Sequence, residues 1–191
     1  MYERTKCEAE KLVLESYKNW NPPVTIIRPD FVYGPGDLRR LPLYRTIRDK
    51  RFLIVGNGKS FLHPTYIDDV IHGFHLVTSN PVAFGQIYNL AGPALVTAED
   101  YVKTIAQLLK VSPPRFSIPK TVALAVAWAS EAFSKINAKE PFITRSKVEF
   151  LTDNHGSDTS KAESQLGYRP RVEFQDGMRQ TIDWYHDRRL L

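Results

Sequence analysis

Apolar residues recur at helical spacing from the start of the chain. Ala9, Val13, Tyr17 and Trp20 fall on one face, charges fill much of the remainder, and the pattern predicts a helix over Tyr2 to Trp20. Asn21-Pro22-Pro23 stops it. The period then changes. Val24-Thr25-Ile26-Ile27 is a short apolar, β-branched run, which predicts a strand buried on both faces, as in a parallel sheet. Gln86 to Leu90 predicts a second buried strand. Between them, helices are expected over Pro42 to Lys50 and Asp68 to Thr78. Phe52 to Val55 reads as extended, and Gly34-Pro35-Gly36 and Gly56-Asn57-Gly58 as turns. Helices dominate the remainder. One runs to Lys110 from Thr97, an expected cap with acids in its first turn. Others cover Ile118-Pro119 through Ala132, Ser157 to Leu166 with Gly167 as the stop, and Phe174 to Arg188 with Met178, Ile182 and Tyr185 on its apolar face. Two strands among many helices predict an α/β fold holding part of a sheet.

Composition narrows the class without naming a function. The 191 residues are 42% hydrophobic and 25% charged, which suits one soluble globular domain. The longest apolar stretch, Val122 to Ala129, falls well short of the ~20 residues a bilayer demands, so no membrane contact is expected. Charges from the third residue onward argue against a secretory signal. Cys7 is the single cysteine; it rules out an internal disulfide and fits a reducing compartment, and a cytoplasmic location is expected. No Cys/His cluster has zinc spacing, so no metal is expected. The net charge is +5. Its densest run, Arg39, Arg40, Arg45, Arg48, Lys50 and Arg51, is diluted by Asp37 and Asp49. It reads first as a solvated helix face, then as a site for a small anion, and last as a nucleic-acid surface; no nucleic-acid partner is expected.

Tyr2 and Lys6 are four apart on the first predicted helix and share a face. A phenol ionises near pH ~10, too high for a base at neutrality, and a neighbouring ammonium lowers that value. Such a tyrosine can exchange a proton with a substrate hydroxyl or carbonyl while hydride moves to or from a nicotinamide. The same spacing also occurs in ordinary surface pairs. Around it stand Ala9-Glu10, Thr25-Ile26-Ile27-Arg28-Pro29, Val32-Tyr33-Gly34-Pro35-Gly36, Gly56-Asn57-Gly58, Tyr66-Ile67-Asp68-Asp69-Val70, Ile87-Tyr88-Asn89-Leu90, Leu166-Gly167-Tyr168-Arg169-Pro170 and Trp184-Tyr185. As an ordered set these resemble the extended short-chain dehydrogenase/reductases, the NAD-dependent epimerase/dehydratase family.

The resemblance implies the C-terminal part of a Rossmann-like parallel sheet (residues 1–95) followed by mostly helical substrate-binding segments (96–191). It implies Tyr2 as catalytic acid/base, and Lys6 as ligand to the nicotinamide ribose and tuner of Tyr2. Pro29, Asp30 and Val32 would lie beside the nicotinamide of NAD or NADP, and Gly34-Pro35-Gly36 would open the substrate cleft. Asp68 and Asp69 are expected to cap the following helix. Arg28 is either a buried ion-paired residue or a cofactor-side one; His63 and His72 read as structural. The glycine-rich turn that cradles a dinucleotide pyrophosphate precedes the tyrosine in this family and is not found here, so the expected chain is a C-terminal portion that binds NAD poorly alone, exposes the edge of Val24–Ile27 and docks on a missing N-terminal half or dimerises. Sugar-nucleotide members often carry Asn at Phe31 and Arg at Leu62, both taken as substrate-binding positions. The leading expectation is an oxidoreductase or isomerase for a sugar nucleotide or related hydroxyl/keto substrate. The alternatives are a 3β-hydroxysteroid dehydrogenase/ketoreductase-like enzyme, whose apolar helix the Pro119 to Phe133 stretch resembles, and a non-catalytic module docking on another chain.

Overall fold

The computed structural model describes the backbone of residues 2–137, 141 and 143–191, and their side chains except at residues 2, 3 and 135–137. In chain order the elements are α1 (Tyr2–Trp20), β1 (Ile26–Pro29), β2 (Val32–Tyr33), α2 (Leu41–Arg48), β3 (Ile54–Val55), β4 (Phe61–Leu62), β5 (Thr65–Tyr66) and α3 (Ile67–Thr78). They continue as β6 (Ile87–Leu90), β7 (Val96–Thr97), α4 (Ala98–Leu108), β8 (Ser117–Ile118), α5 (Lys120–Asn137), α6 (Arg145–Thr152), α7 (Ser160–Leu166) and α8 (Phe174–Asp187). The fold is α/β, with parallel sheet pieces set among helices. β1 pairs in parallel with β6, Ile26 opposite Ile87 and Pro29 opposite Leu90. β2 pairs with β5 and β3 with β8, also in parallel, whereas β4 and β7 are antiparallel.

The first strand begins later than its β-branched run suggests. Val24 donates its N–H back to the Pro22 carbonyl and accepts from Gly85 N–H, so the ladder starts only when Ile26 donates to Gln86. Nor is β1 covered on both faces: Ile26 and Ile27 are half-buried, and Arg28 and Pro29 are exposed. Its second edge has no partner strand among the described residues. The helices follow the pattern more closely. α1 has the expected bounds. Thr97 caps α4, its hydroxyl accepting from Asp100 N–H at 3.0 Å, but α4 ends at Leu108 because Lys110 takes a left-handed φ of 56°. α5 runs on to Asn137, beyond the expected Ala132. α6 was not expected. Its eight residues lack a strong period, and it is held by the Thr144 cap and by Val148, which is fully buried against α5.

The largest core gathers β2, α2, α4 and α8 through Tyr33, Tyr44, Ile47, Tyr101, Ile105, Met178, Ile182 and Tyr185. Each such side chain contributes about 1.5–3 kcal/mol of burial. A second cluster packs α3 and α7 on β6. Gly73 is required there, since a Cβ would overlap the Leu90 side chain. Among the described residues no helix is long and apolar enough to cross a membrane.

Candidate functional site

Ligands of parallel α/β sheets bind beyond the carboxyl ends of the strands. Here β1 ends at Pro29 and β2 at Tyr33, and Gly34-Pro35-Gly36 turns away immediately afterwards. Gly34 has a φ of 147°, and a Cβ there would lie 2.6 Å from Ile67 Cγ2, so only glycine lets the loop leave the strand this closely. The loop opens a cleft of about 490 Å³ lined by Val32, Tyr33, Ile67, Asp37, Arg39 and Arg40, within the range of small-molecule sites.

Lys6 of α1 and Pro29 of β1 are brought together along a second groove of about 510 Å³, shared with Ile26, Ile27 and Arg28. Tyr2 opens α1 one turn earlier; its side chain lies outside the described residues. Arg28 and Glu10 form a bidentate pair, Nε to Oε2 at 2.9 Å, that fastens α1 to β1. The hydrogen bond from Arg28 holds the Glu10 carboxyl below the usual glutamate value. Arg28 is therefore ion-paired as one expectation had it, but half-exposed rather than buried.

Asp30 is held by a relay. Its carboxylate accepts from the Ser157 hydroxyl at 2.8 Å, and Ser157 N–H donates to His63 Nδ1 at 3.3 Å. His63 Nε2 lies 3.0 Å from the Gly92 carbonyl, so the proton is assigned to Nε2. Four separate loops meet at this point, and His63 is structural. Asp69 corrects the expectation of a helix cap. Tyr66 is the N-cap of α3 and makes no side-chain cap bond. Asp69 is only 2% exposed, and its carboxylate accepts from Arg171 N–H at 2.8 Å and Val172 N–H at 3.2 Å, pinning the segment that enters α8.

Phe31 and Leu62 also meet. Leu62 is 3% exposed, and with Leu43, Phe52, Tyr101 and Leu151 the two line a cavity of about 50 Å³ that is almost wholly apolar. The Phe31 ring lies 3.9 Å beneath the Arg40 guanidinium, 5.5 Å edge-on from Tyr101 and 5.6 Å from Phe150 in a stack. Of the site residues expected from the sequence, Lys6 and Pro29 thus share one groove, Val32 lines the cleft and Phe31 and Leu62 line the cavity, while Asp30 lines none of the three. Arg40 belongs to the basic run read first as a solvated helix face and second as a small-anion site, whereas Tyr101, 61 positions on, was missed because no local motif surrounds it. Among the described residues no three His, Cys, Asp or Glu side chains are grouped to hold a metal.

Residues 1–91 match the family model described as the NAD dependent epimerase/dehydratase family. That match covers the first part of the chain, from α1 to the end of β6. Similar curated proteins include a 3beta-hydroxysteroid-dehydrogenase/decarboxylase of Arabidopsis thaliana, 29% identical over 95% of this chain and 45% of its own length. A decarboxylating sterol-4-alpha-carboxylate 3-dehydrogenase of Schizosaccharomyces pombe is 28% identical over 96% and 56%. The chain therefore spans about half the length of such relatives. Its fold matches the crystal structure of gox2253 with a TM-score of 0.76 at 25% identity, covering 98% of this chain and 56% of that one. A Bacillus cereus UDP-glucuronic acid 4-epimerase in complex with NAD matches with a TM-score of 0.71 at 23% identity, over 97% and 52%.

The residues present fit one end of a dinucleotide. Lys6 and Pro29 share a groove beside an open strand edge, which suits a ribose and a flat ring. The glycine turn between β2 and α2 lacks the G-x-x-G-x-x-G spacing that cradles a dinucleotide pyrophosphate.

Proposed function

We propose that this chain forms the substrate-binding and acid–base part of an NAD(P)-dependent dehydrogenase for a secondary alcohol on an apolar, steroid-like skeleton. The observation that carries the reading is the pairing of Phe31 with Leu62 in an apolar cavity. A nucleoside-diphosphate sugar needs donors at those positions, and neither side chain has one. Placing the diphosphate there unpaired would cost several kcal/mol per charge, whereas apolar carbon gains roughly 25 cal/mol for every Å² it buries. The adjoining cleft of about 490 Å³ has the volume for a fused-ring substrate. Likeness to hydroxysteroid and sterol-carboxylate dehydrogenases supports the same substrate class.

In this reading Tyr2 moves the proton at the substrate oxygen. Lys6, one turn along α1, favours its phenolate and hydrogen-bonds the ribose hydroxyls. The backbone at Pro29, Asp30 and Val32 flanks the nicotinamide end of the cofactor, with the Ser157–His63 relay holding Asp30 in place. Bound NAD(P) supplies the hydride acceptor. The phosphate end is held by a nucleotide-binding part outside these residues, seated along the unpaired edge of β1. A tryptophan-fluorescence titration of the chain tests the substrate class. A 3β-hydroxysteroid is expected to saturate the signal at micromolar concentration and UDP-glucose to leave it unchanged; saturation by UDP-glucose alone overturns the reading. In the enzyme completed by its nucleotide-binding half, Tyr2→Phe should lower turnover by ~10²–10⁴-fold.

A further inference from the structure

Two polar atoms are left over inside the candidate site. The Tyr101 side chain is buried, 2% exposed, and its hydroxyl completes no hydrogen bond among the described residues. Arg40 Nη1 is buried in the same way. The two groups are neighbours: the Tyr101 hydroxyl sits within reach of the Arg40 guanidinium and the Tyr44 hydroxyl, though neither contact has full hydrogen-bond geometry. Tyr44 donates its own proton to Met178 Sδ at 3.2 Å. A buried donor left unmade carries its full desolvation cost, so a native fold retains such a pair where something else satisfies it. Both residues border the site, although the two atoms themselves are buried. Arg40 lines the 490 Å³ cleft, Tyr101 lines the apolar cavity, and the Phe31 ring contacts both, as a partition between the two spaces.

We infer that Arg40 and Tyr101 form a second recognition point, taking an uncharged oxygen, a ketone or hydroxyl, that the apolar substrate carries away from its reacting carbinol. This rests on the apolar-alcohol reading above. One such oxygen can accept from Arg40 Nη1–H and from the Tyr101 hydroxyl together. The preference for an uncharged group follows from charge balance. Arg40 Nε already lies 3.4 Å from Asp37 Oδ2, so its positive charge is answered. A carboxylate placed there would set a second anion beside Asp37 with one guanidinium between them, in a site poorly served by water.

The test titrates the full chain with three 3β-hydroxysteroids sharing one skeleton: one with a ketone at the far end, one with hydrogen there, and one with a carboxylate. The ketone should bind about tenfold more tightly than the deoxy compound, the factor expected of one or two net hydrogen bonds, and the carboxylate no more tightly than the deoxy compound. Tyr101→Phe should erase the ketone's advantage over the deoxy compound. Without ligand, Tyr101→Phe should unfold at the same Tm or higher, because it removes an unpaired buried hydroxyl. Equal binding of all three steroids, with no effect of Tyr101→Phe, would mean that the pair holds structural water only, and the inference falls while the apolar reading stands. Tightest binding by the carboxylate overturns the charge argument. A lowered Tm for Tyr101→Phe shows the hydroxyl bonded internally and removes the premise. Binding of none of the steroids overturns the apolar reading itself.

Discussion

Asp69 offers the sharpest energetic test of the fold. Its carboxylate is 2% exposed and accepts from two backbone N–H groups, Arg171 at 2.8 Å and Val172 at 3.2 Å, more than 100 residues away. Asp69→Ala strands both donors in a site that water does not reach. A hydrogen bond to a charged group contributes about 1.5–3 kcal/mol, so the variant should lose roughly 3–5 kcal/mol. That is a large share of the ~5–15 kcal/mol a domain possesses. Asp69→Asn keeps one acceptor oxygen but points an amide at the other donor, and should lose about half as much. Asp68, adjacent in sequence and exposed, is the control; Asp68→Ala should cost about 1 kcal/mol or less. Urea unfolding followed by far-UV circular dichroism measures all three, with an unchanged slope required for the comparison. Equal and small losses for Asp68→Ala and Asp69→Ala would restore simple helix capping and refute the clamp.

Acid should loosen α1 from β1. The Glu10 pKa is lowered in the folded chain by Arg28, so this contribution is complete above the ordinary carboxylate range and disappears as pH falls through the lowered value; Glu10→Gln should abolish that part of the pH dependence in thermal melts, and an unchanged profile would refute it. Alkali should unfold the chain through its buried phenols. Burial raises Tyr185 to about 12 and pushes Tyr33, Tyr44, Tyr101 and Tyr168 up as well, so stability present below pH ~10 is lost as pH rises through the folded values. Tyrosinate absorbance should rise together with loss of the circular dichroism signal; titration of all nine tyrosines with the fold intact would contradict this. Gly73→Ala should cost about 1–3 kcal/mol by overpacking against Leu90, despite the better helix propensity of alanine; chemical denaturation reads it, and a stabilised variant would show that Leu90 gives way. NADH should bind the chain alone no better than millimolar by calorimetry, since the described residues supply no pyrophosphate cradle; micromolar binding would refute that.

Elements stabilised by bonds within one turn of helix could be read from the residues in order. α1, α3 and α8 lie within a residue of their periodic pattern, Thr97 caps α4, and Gly167 closes α7 in a left-handed conformation. The ordered motifs also pointed to the family whose model residues 1–91 match. Packing across long stretches of chain settled the remainder. The two-residue strands β2, β4, β5, β7 and β8 have no periodicity of their own and exist because a distant partner lies alongside. Asp69 became a clamp rather than a cap because the α8 approach brings two amides to its carboxylate. Phe31, Arg40 and Tyr101 became one assembly because α4 packs against α2 beside the loop that follows β1. Local sequence decides which hydrogen bonds a segment can make with itself; which polar groups remain unmatched, and so open to a ligand, is decided only when remote segments exclude the water between them.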